Sequence, residues 1–153
     1  AIEAAASTQL PVCLMHMQGQ PKTMQDAPSY NNITDEIADF FNQRLNACEN
    51  AGIPKDKILL DPGFGFGKTL EQNYELLAKL GEFESFQLPL LIGLSRKSMI
   101  GNLLNRPVEQ RLAGSLSAAV LSVLNGAKIL RVHDVVETVD ALKVIETTLR
   151  GND

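Results

Sequence analysis

Four short apolar runs divide the chain, and each is rich in branched side chains and apolar on both of its faces. The runs are Val12-Cys13-Leu14-Met15, Ile58-Leu59-Leu60, Leu90-Leu91-Ile92-Gly93 and Ile129-Leu130-Arg131-Val132. Strands of a parallel sheet that is covered on both sides have this pattern, because neither face of the strand meets water. The pattern therefore predicts four parallel strands.

Helical repeats alternate with these runs. Apolar residues recur with a period near 3.6 in segments 33–51, 70–78, 112–123 and 135–149, and the first ten residues have the pattern of a helix in mid-course. Glycines end the four repeats, at Gly52, Gly81, Gly126 and Gly151. The predicted order is one helix followed by four βα units, which suits right-handed crossovers. Two architectures fit this α/β order: a small doubly wound sheet, or half of a (β/α)8 barrel.

Polar residues follow each predicted strand directly. They are Met15-His16-Met17, Asp61-Pro62-Gly63, Ser95-Arg96-Lys97-Ser98 and Arg131-Val132-His133-Asp134. In both candidate architectures the chemistry is located at the carboxyl ends of the strands. The sequence therefore predicts a functional site at this edge.

The glycine-rich stretch after the second strand does not fit the common phosphate-binding loops. A Walker loop would need glycine at Pro62, and the dinucleotide fingerprint would need glycine at Lys68. What remains is the carboxylate of Asp61 and a loop whose glycines allow close approach of a ligand. Phe64 and Phe66 could cover a flat ring, or they could pack into the core.

Cations and hydroxyls follow the third and fourth strands. Lys97 could direct a cation at a polar ring, and Ser98, at the start of a short helix over 99–104, could meet an anion. The alternative is a serine cap beside solvated cations. Alternation places Arg131 and His133 on one side of their strand, so both could converge on one anion.

Three further residues have weaker signals. Met15 could pad a planar ring or pack into the core. His16 has no second ligand at metal spacing, so we assign no metal ligand within this chain. Asp134 could cap the last helix.

Composition limits the class of protein. A net charge of −4 argues against a nucleic-acid groove. No apolar run approaches the roughly 18 residues of a membrane span. Cys13 and Cys48 are predicted to be buried free thiols, which favours a reducing cytoplasm. Without a repeat or a linker, residues 1–153 are expected to form a single partial domain.

Four motifs together resemble the bacterial dihydropteroate synthases. In chain order they are Leu14-Met15-His16-Met17-Gln18-Gly19, Asp61-Pro62-Gly63-Phe64-Gly65-Phe66-Gly67-Lys68, Gly93-Leu94-Ser95-Arg96-Lys97-Ser98 and Arg131-Val132-His133-Asp134-Val135. The resemblance implies the C-terminal half of a (β/α)8 TIM barrel: helix 4, then strands 5 to 8 with their helices. It also implies a transferase of folate biosynthesis that uses Mg²⁺. That enzyme joins 6-hydroxymethyl-7,8-dihydropterin pyrophosphate to p-aminobenzoate, releases pyrophosphate, and is inhibited by sulfonamides.

The same resemblance implies roles for individual residues. The expected catalytic residues are Asp61, Lys97, Arg131 and His133. The expected pterin contacts are Met15, Asp61, Gly93 and Lys97; the p-aminobenzoate contacts are Phe66 and Ser98; the pyrophosphate contacts are Arg131 and His133.

The motifs of the family's N-terminal half, where the Mg²⁺ ligand is expected, do not occur in this sequence. We therefore expect a piece of a longer protein that is inactive alone. Half a barrel would expose two sheet edges, which predicts a homo-oligomer, most simply a homodimer. The alternatives are an inactive folding or oligomerisation unit and a pterin-binding methyltransferase module. The Ser-Arg-Lys-Ser motif favours the synthase, because a methyltransferase needs no p-aminobenzoate site.

Overall fold

The computed structural model describes residues 2–19 and 30–151 of the chain. Its sheet has four parallel strands in the order β1-β2-β3-β4. These are β1 (Val12–Met15), β2 (Ile58–Asp61), β3 (Leu90–Ile92) and β4 (Ala127–Leu130). The helices are α1 (Ile2–Thr8), α2 (Ile33–Asn50), α3 (Leu70–Ala78), α4 (Ser98–Leu104), α5 (Leu112–Leu124) and α6 (Val135–Arg150). Short 3₁₀ turns cover Lys55–Lys57, Leu80–Phe86 and Val108–Gln110.

The hydrophobic core lies between one face of the sheet and the helices. Leu60 and Ile92 point into it from the strands and are buried. Phe41 of α2 is fully buried, with its ring edge-on to Phe83 and Phe86 at centroid distances of 5.6 and 5.7 Å. These aromatic contacts fix α2 and the 3₁₀ turn before β3 against each other.

The other face of the sheet is open among the described residues. Cys13 and Met15 alternate with buried Leu14 along β1 and are exposed, and Ile129 of β4 is 38% exposed. The expectation that both cysteines are buried is therefore wrong for Cys13, although Cys48 is buried. The reason is that the described helices cover one face of the sheet, so these apolar side chains on the other face are exposed.

Side-chain caps mark the starts of α2 and α3. The side chain of Asn32 accepts hydrogen bonds from the backbone of Thr34 and Asp35 at the start of α2. Thr69 and Gln72 form a reciprocal capping box at the start of α3. Such caps satisfy backbone N–H groups that the first helical turn leaves unpaired.

The predicted strands and helices are confirmed, with one clear shift. β4 lies two residues earlier than predicted: it begins at Ala127, directly after Gly126 at a φ of +98°, and ends at Leu130. Arg131 and His133 therefore follow the strand, and strand alternation does not set their directions as predicted. The polar residue Lys128 interrupts the apolar run, so the sequence pattern did not indicate the start of β4. The pairing of β3 with β4 is irregular between Leu90 and Leu91. Within the described ranges, we found no helix with the length and apolar content of a membrane span.

Candidate functional site

The loops after β1 and β2 are joined at the carboxyl edge of the sheet. The backbone N–H of His16 donates to the carbonyl oxygen of Asp61 at 2.9 Å. The Oδ1 atom of Asp61 accepts from the backbone N–H of Gly63 at 2.7 Å. Asp61 is only 4% exposed. The sheet thus ends in a buried carboxylate held by its own loop.

Burial and nearby cations act on Asp61 in opposite directions. Burial raises the pKa of this carboxyl group above its usual range, because the charged form loses its water. The Gly63 hydrogen bond and the positive charges of Lys97, Arg131 and Lys68 lower that pKa. The cations gathered around Asp61 therefore favour its ionised form.

The glycines of this loop allow it to pack against the loop after β1. A Cβ atom on Gly63, whose φ is +72°, would lie 1.8 Å from the carbonyl oxygen of His16. On Gly67, with φ at +63°, it would lie 2.5 Å from the carbonyl oxygen of Gln18. The close approach that these two glycines permit is thus between two backbone segments.

Lys68 braces the same two loops from within. Its side chain is almost wholly buried, at 3% exposure. The Nζ atom donates to the carbonyl oxygens of Gly63 and Phe66 at 2.8 and 3.1 Å, and lies 3.2 Å from Nδ1 of His16. An ammonium group has three donors, and each of them finds an acceptor here.

The buried pair of Lys68 and His16 has shifted pKa values. Burial lowers the pKa of Lys68 to about 7, against the opposing charge of Asp61. Burial and the charge of Lys68 lower the pKa of His16 to about 4. His16 is therefore neutral at neutral pH, and its Nδ1 atom can accept a hydrogen bond from Lys68. No role was predicted for Lys68 from the sequence, since its position after the glycines was the only local signal.

Lys97 reaches back to the loop after β2. Its Nζ atom donates to the carbonyl oxygen of Phe64 at 2.6 Å and lies 4.8 Å from the ring centroid of Phe66. Burial lowers the pKa of Lys97 to about 8, and Asp61 opposes this shift. Phe64 itself is 1% exposed within the core, so of the two alternatives for this residue the structure supports core packing. Phe66 is the partly exposed aromatic residue beside the cation.

The loops after β3 and β4 are also joined. The Oγ atom of Ser95 lies 3.1 Å from the backbone nitrogen of His133 and 3.0 Å from its Nδ1 atom. Arg96 forms two hydrogen bonds to the carboxylate of Asp134, one of them from Nε at 3.0 Å. The interpretation of Asp134 as a helix cap is therefore wrong, because its side chain binds Arg96 and makes no cap hydrogen bond.

The other predicted residues lie along the same edge. Met15 is the register partner of Asp61 and is 36% exposed on the open face. The guanidinium of Arg131 lies over Gly93, where a Cβ atom would be 3.0 Å from Nη2. Ser98 is the exposed first residue of α4, and His133 is also exposed.

The predicted residues do not converge on a metal. Within residues 2–19 and 30–151, no group of three or more His, Cys, Asp or Glu side chains could hold a metal ion. Instead, the buried carboxylate of Asp61 lies beside the partly buried cation of Lys97, and Arg131 and His133 lie farther along the edge. Such a set suits a polar ring that carries an anionic group.

Comparison with known proteins identifies the family. The family described as "Pterin binding enzyme" matches residues 1–133. The chain belongs to the pterin binding enzymes. The expected half of a (β/α)8 barrel is confirmed by this match and by the solved structures that share its fold.

Relatives that match nearly all of the chain include dihydropteroate synthases. The dihydropteroate synthase of Escherichia coli K12 is 60% identical over 153 residues, which cover 100% of this chain and 54% of that protein. The dihydropteroate synthase of Haemophilus influenzae is 53% identical over 148 residues, covering 97% of this chain and 54% of that protein. The chain thus spans about half the length of these family members.

Solved structures of the family agree with this. The Yersinia pestis dihydropteroate synthase in a sulfonamide drug complex has a TM-score of 0.96 and 57% identity, covering 98% of this chain and 55% of its own. The Xanthomonas albilineans dihydropteroate synthase with 4-aminobenzoic acid has a TM-score of 0.90 and 46% identity, covering 97% of this chain and 52% of its own.

We predict that Gly63→Ala destabilises the protein far more than Gly52→Ala. Both glycines have positive φ, which costs an alanine about 1–2 kcal/mol, but a Cβ on Gly52 would meet nothing within 4 Å. The added clash with the His16 carbonyl should raise the loss for Gly63→Ala to at least about 3 kcal/mol. Urea unfolding of both variants measures the difference. Equal losses would show that the loops separate freely and that the close approach is unimportant.

Proposed function

We propose that this chain is the C-terminal half of a dihydropteroate synthase. The whole enzyme joins 6-hydroxymethyl-7,8-dihydropterin pyrophosphate to p-aminobenzoate, giving 7,8-dihydropteroate and pyrophosphate in folate biosynthesis. The observation that carries the proposal is the buried carboxylate of Asp61, set among cations at the carboxyl edge of a chain 60% identical to such a synthase. A carboxylate in this setting is suited to hold a ring that becomes positively charged.

The pterin is proposed to lie on the open side of the edge, against Asp61. Its 2-amino and ring N–H groups would donate to the carboxylate, and Lys97 would donate to the polar edge of the ring. Met15 and Gly93 would line the same slot. The support is geometric: Met15 is beside Asp61 in the strand register, and the charges of Lys97 and Asp61 act on each other's pKa values.

The second substrate is proposed to lie near Phe66 and Ser98. Phe66 is partly exposed and its ring is held under the ammonium group of Lys97. Related synthases have been solved with a sulfonamide drug and with 4-aminobenzoic acid, which supports the same ligands for this chain. We propose that sulfonamides compete with p-aminobenzoate here.

The leaving group is proposed to be held by Arg131 and His133. Both side chains are exposed at the edge, and the fork of an arginine fits phosphate oxygens. In the reaction, the bond between the pterin methylene carbon and the pyrophosphate oxygen breaks. The amine nitrogen of p-aminobenzoate then bonds to that carbon and loses a proton. Ionised Asp61 stabilises the positive charge that develops on the ring between these two events.

The proposal includes Mg²⁺ only as the metal that the resemblance implies. The described residues group no set of ligands for it, so no step above depends on the ion. A cytoplasmic location is part of the same proposal, and the free thiols of Cys13 and Cys48 support it, since thiols stay reduced there.

A homo-oligomer is the remaining part of the proposal. When the chain is alone, the N-terminal half of the proposed barrel does not cover the open face with exposed Met15 and Ile129, or the outer strands β1 and β4 of the described sheet. Helix α6 also exposes Val136 and Val144, at 70% and 66%. Unpaired edges and apolar faces favour association with another chain.

We predict that Asp61→Asn in the full-length synthase weakens pterin binding without unfolding the protein. The amide oxygen can still accept the Gly63 N–H, so the loop is preserved, but the charge is lost. Losing a charge-assisted hydrogen bond costs about 1.5–3 kcal/mol, or roughly 10- to 150-fold in affinity. Calorimetric titration with the hydroxymethyl pterin measures this. The matched control is Glu75→Gln, because that exposed carboxylate pairs with Lys79 at the end of α3, away from the site. An affinity within twofold of the wild type would contradict the assignment.

A second prediction concerns the leaving group. Replacing Arg131 or His133 with alanine should impair use of the pyrophosphate substrate far more than it weakens affinity for the free hydroxymethyl pterin. The reason is that only the pyrophosphate substrate carries the anion that these side chains would hold. Steady-state kinetics and calorimetry measure the two effects. Equal weakening of both ligands would show that the residues shape the pocket and do not hold the leaving group.

The third prediction concerns the chain of 153 residues alone. We expect it to self-associate, because its open face and outer strands would otherwise meet water, and to release no pyrophosphate. Light scattering and a pyrophosphate-release assay measure these properties. A folded monomer that turns over substrate would contradict the half-barrel proposal, and a folded monomer without activity would contradict the proposed oligomer alone.

A further inference from the structure

The loop after β3 holds the ring of His133 through a single hydroxyl group. Ser95 is 7% exposed, and its Oγ atom is near two nitrogens of the same residue. The backbone nitrogen of His133, at 3.1 Å, can only donate its hydrogen to that oxygen. The ring nitrogen Nδ1, at 3.0 Å, can either donate or accept, depending on the tautomer.

The position of the hydroxyl hydrogen decides between these tautomers. Both contacts that the structure gives Ser95 Oγ in the described part of the chain are to His133. The backbone N–H cannot accept, so Nδ1 is the acceptor at hand for the hydroxyl hydrogen. A neutral imidazole that accepts at Nδ1 carries its own hydrogen at Nε2. The Ser95 hydroxyl thus favours the Nε2–H form.

Arg96 keeps this contact from shifting. It has a φ of +56°, a left-handed conformation that strains any residue with a side chain. Its backbone N–H donates to Ser115 Oγ at 2.9 Å, and its carbonyl oxygen accepts from Arg111 Nη1 at 2.9 Å. Its side chain binds Asp134, the neighbour of His133. These three contacts maintain the strained backbone of Arg96. Strained residues that the surrounding structure holds in place are often found at functional sites.

We propose that Ser95 is a positioning residue that keeps neutral His133 in its Nε2–H tautomer, so that the ring offers a hydrogen-bond donor to an anion without needing a charge. The other tautomer would turn a lone pair towards the anion. The proposed tautomer rests on the contacts of Ser95. Its use rests on the proposed function, in which the anion is the pyrophosphate leaving group.

Ring tautomers can be measured directly by ¹⁵N NMR of histidine-labelled full-length protein at about pH 9, where an ordinary imidazole is neutral. Variants His16→Asn and His133→Asn assign the signals. We expect Nε2–H for His133 in the wild type, a mixture of tautomers in Ser95→Ala, and recovery of Nε2–H in Ser95→Thr, which restores a hydroxyl. His16 is the internal reference, because its ring contacts Lys68 and not Ser95, so its signals should be the same in the wild type, Ser95→Ala and Ser95→Thr. Nδ1–H in the wild type, or no change in Ser95→Ala, would overturn the proposal.

Steady-state kinetics test the positioning role of Ser95 separately from the proposed function of His133. Ser95→Ala should lower kcat/KM for the pyrophosphate substrate about tenfold, the effect of one misdirected hydrogen bond. Its affinity for the free hydroxymethyl pterin should stay within about twofold, because Ser95 acts through His133 alone. Altered tautomers with unchanged kcat/KM would overturn the positioning role. If His133→Ala leaves pyrophosphate use intact, the proposed function of His133 fails instead, whatever the tautomer.

Discussion

The buried ammonium group of Lys68 is the interaction on which the rest of the site depends. It joins the carbonyl oxygens of Gly63 and Phe66 to the ring of His16, so it fixes the loops after two adjacent strands in one arrangement. Burying a cation is costly unless every donor is satisfied. Here all three donors have acceptors, and the glycines allow the backbone segments to come close enough to provide them. The hydrogen bonds of Lys68 therefore depend on the close packing that Gly63 and Gly67 allow, and they in turn stabilise that packing.

Asp61 depends on this brace because its environment is a balance between burial and charge. Burial alone would favour the protonated carboxyl group, whereas Lys97, Arg131 and Lys68 favour the carboxylate. Each of these cations comes from a different loop, so the balance exists only when the loops are correctly placed. The proposed chemistry, in which a carboxylate stabilises a cationic ring, is a consequence of that assembly.

A second, independent connection joins the loops after β3 and β4. Ser95 contacts His133 and Arg96 contacts Asp134, while Lys97, the next residue, turns back to the carbonyl of Phe64. Three consecutive residues thus reach two different loops. Arg96 lies in a turn that the backbone N–H of Lys97 closes by donating to the carbonyl oxygen of Leu94 at 3.1 Å, and its left-handed backbone is part of that turn. The proposed pterin and pyrophosphate sides of the site are linked in this way.

The sequence by itself determined the strands, the helices and the edge at which the polar residues gather, because periodicity and capping are local properties. It also placed Asp61, Lys97 and His133 at that edge. Tertiary structure alone decided that Phe64 is core and Phe66 is not, and that β4 starts before Lys128. It also decided that Asp134 binds Arg96, 38 residues away, in place of capping α6. These outcomes depend on which distant group arrives beside a residue, and no pattern among near neighbours contains that information.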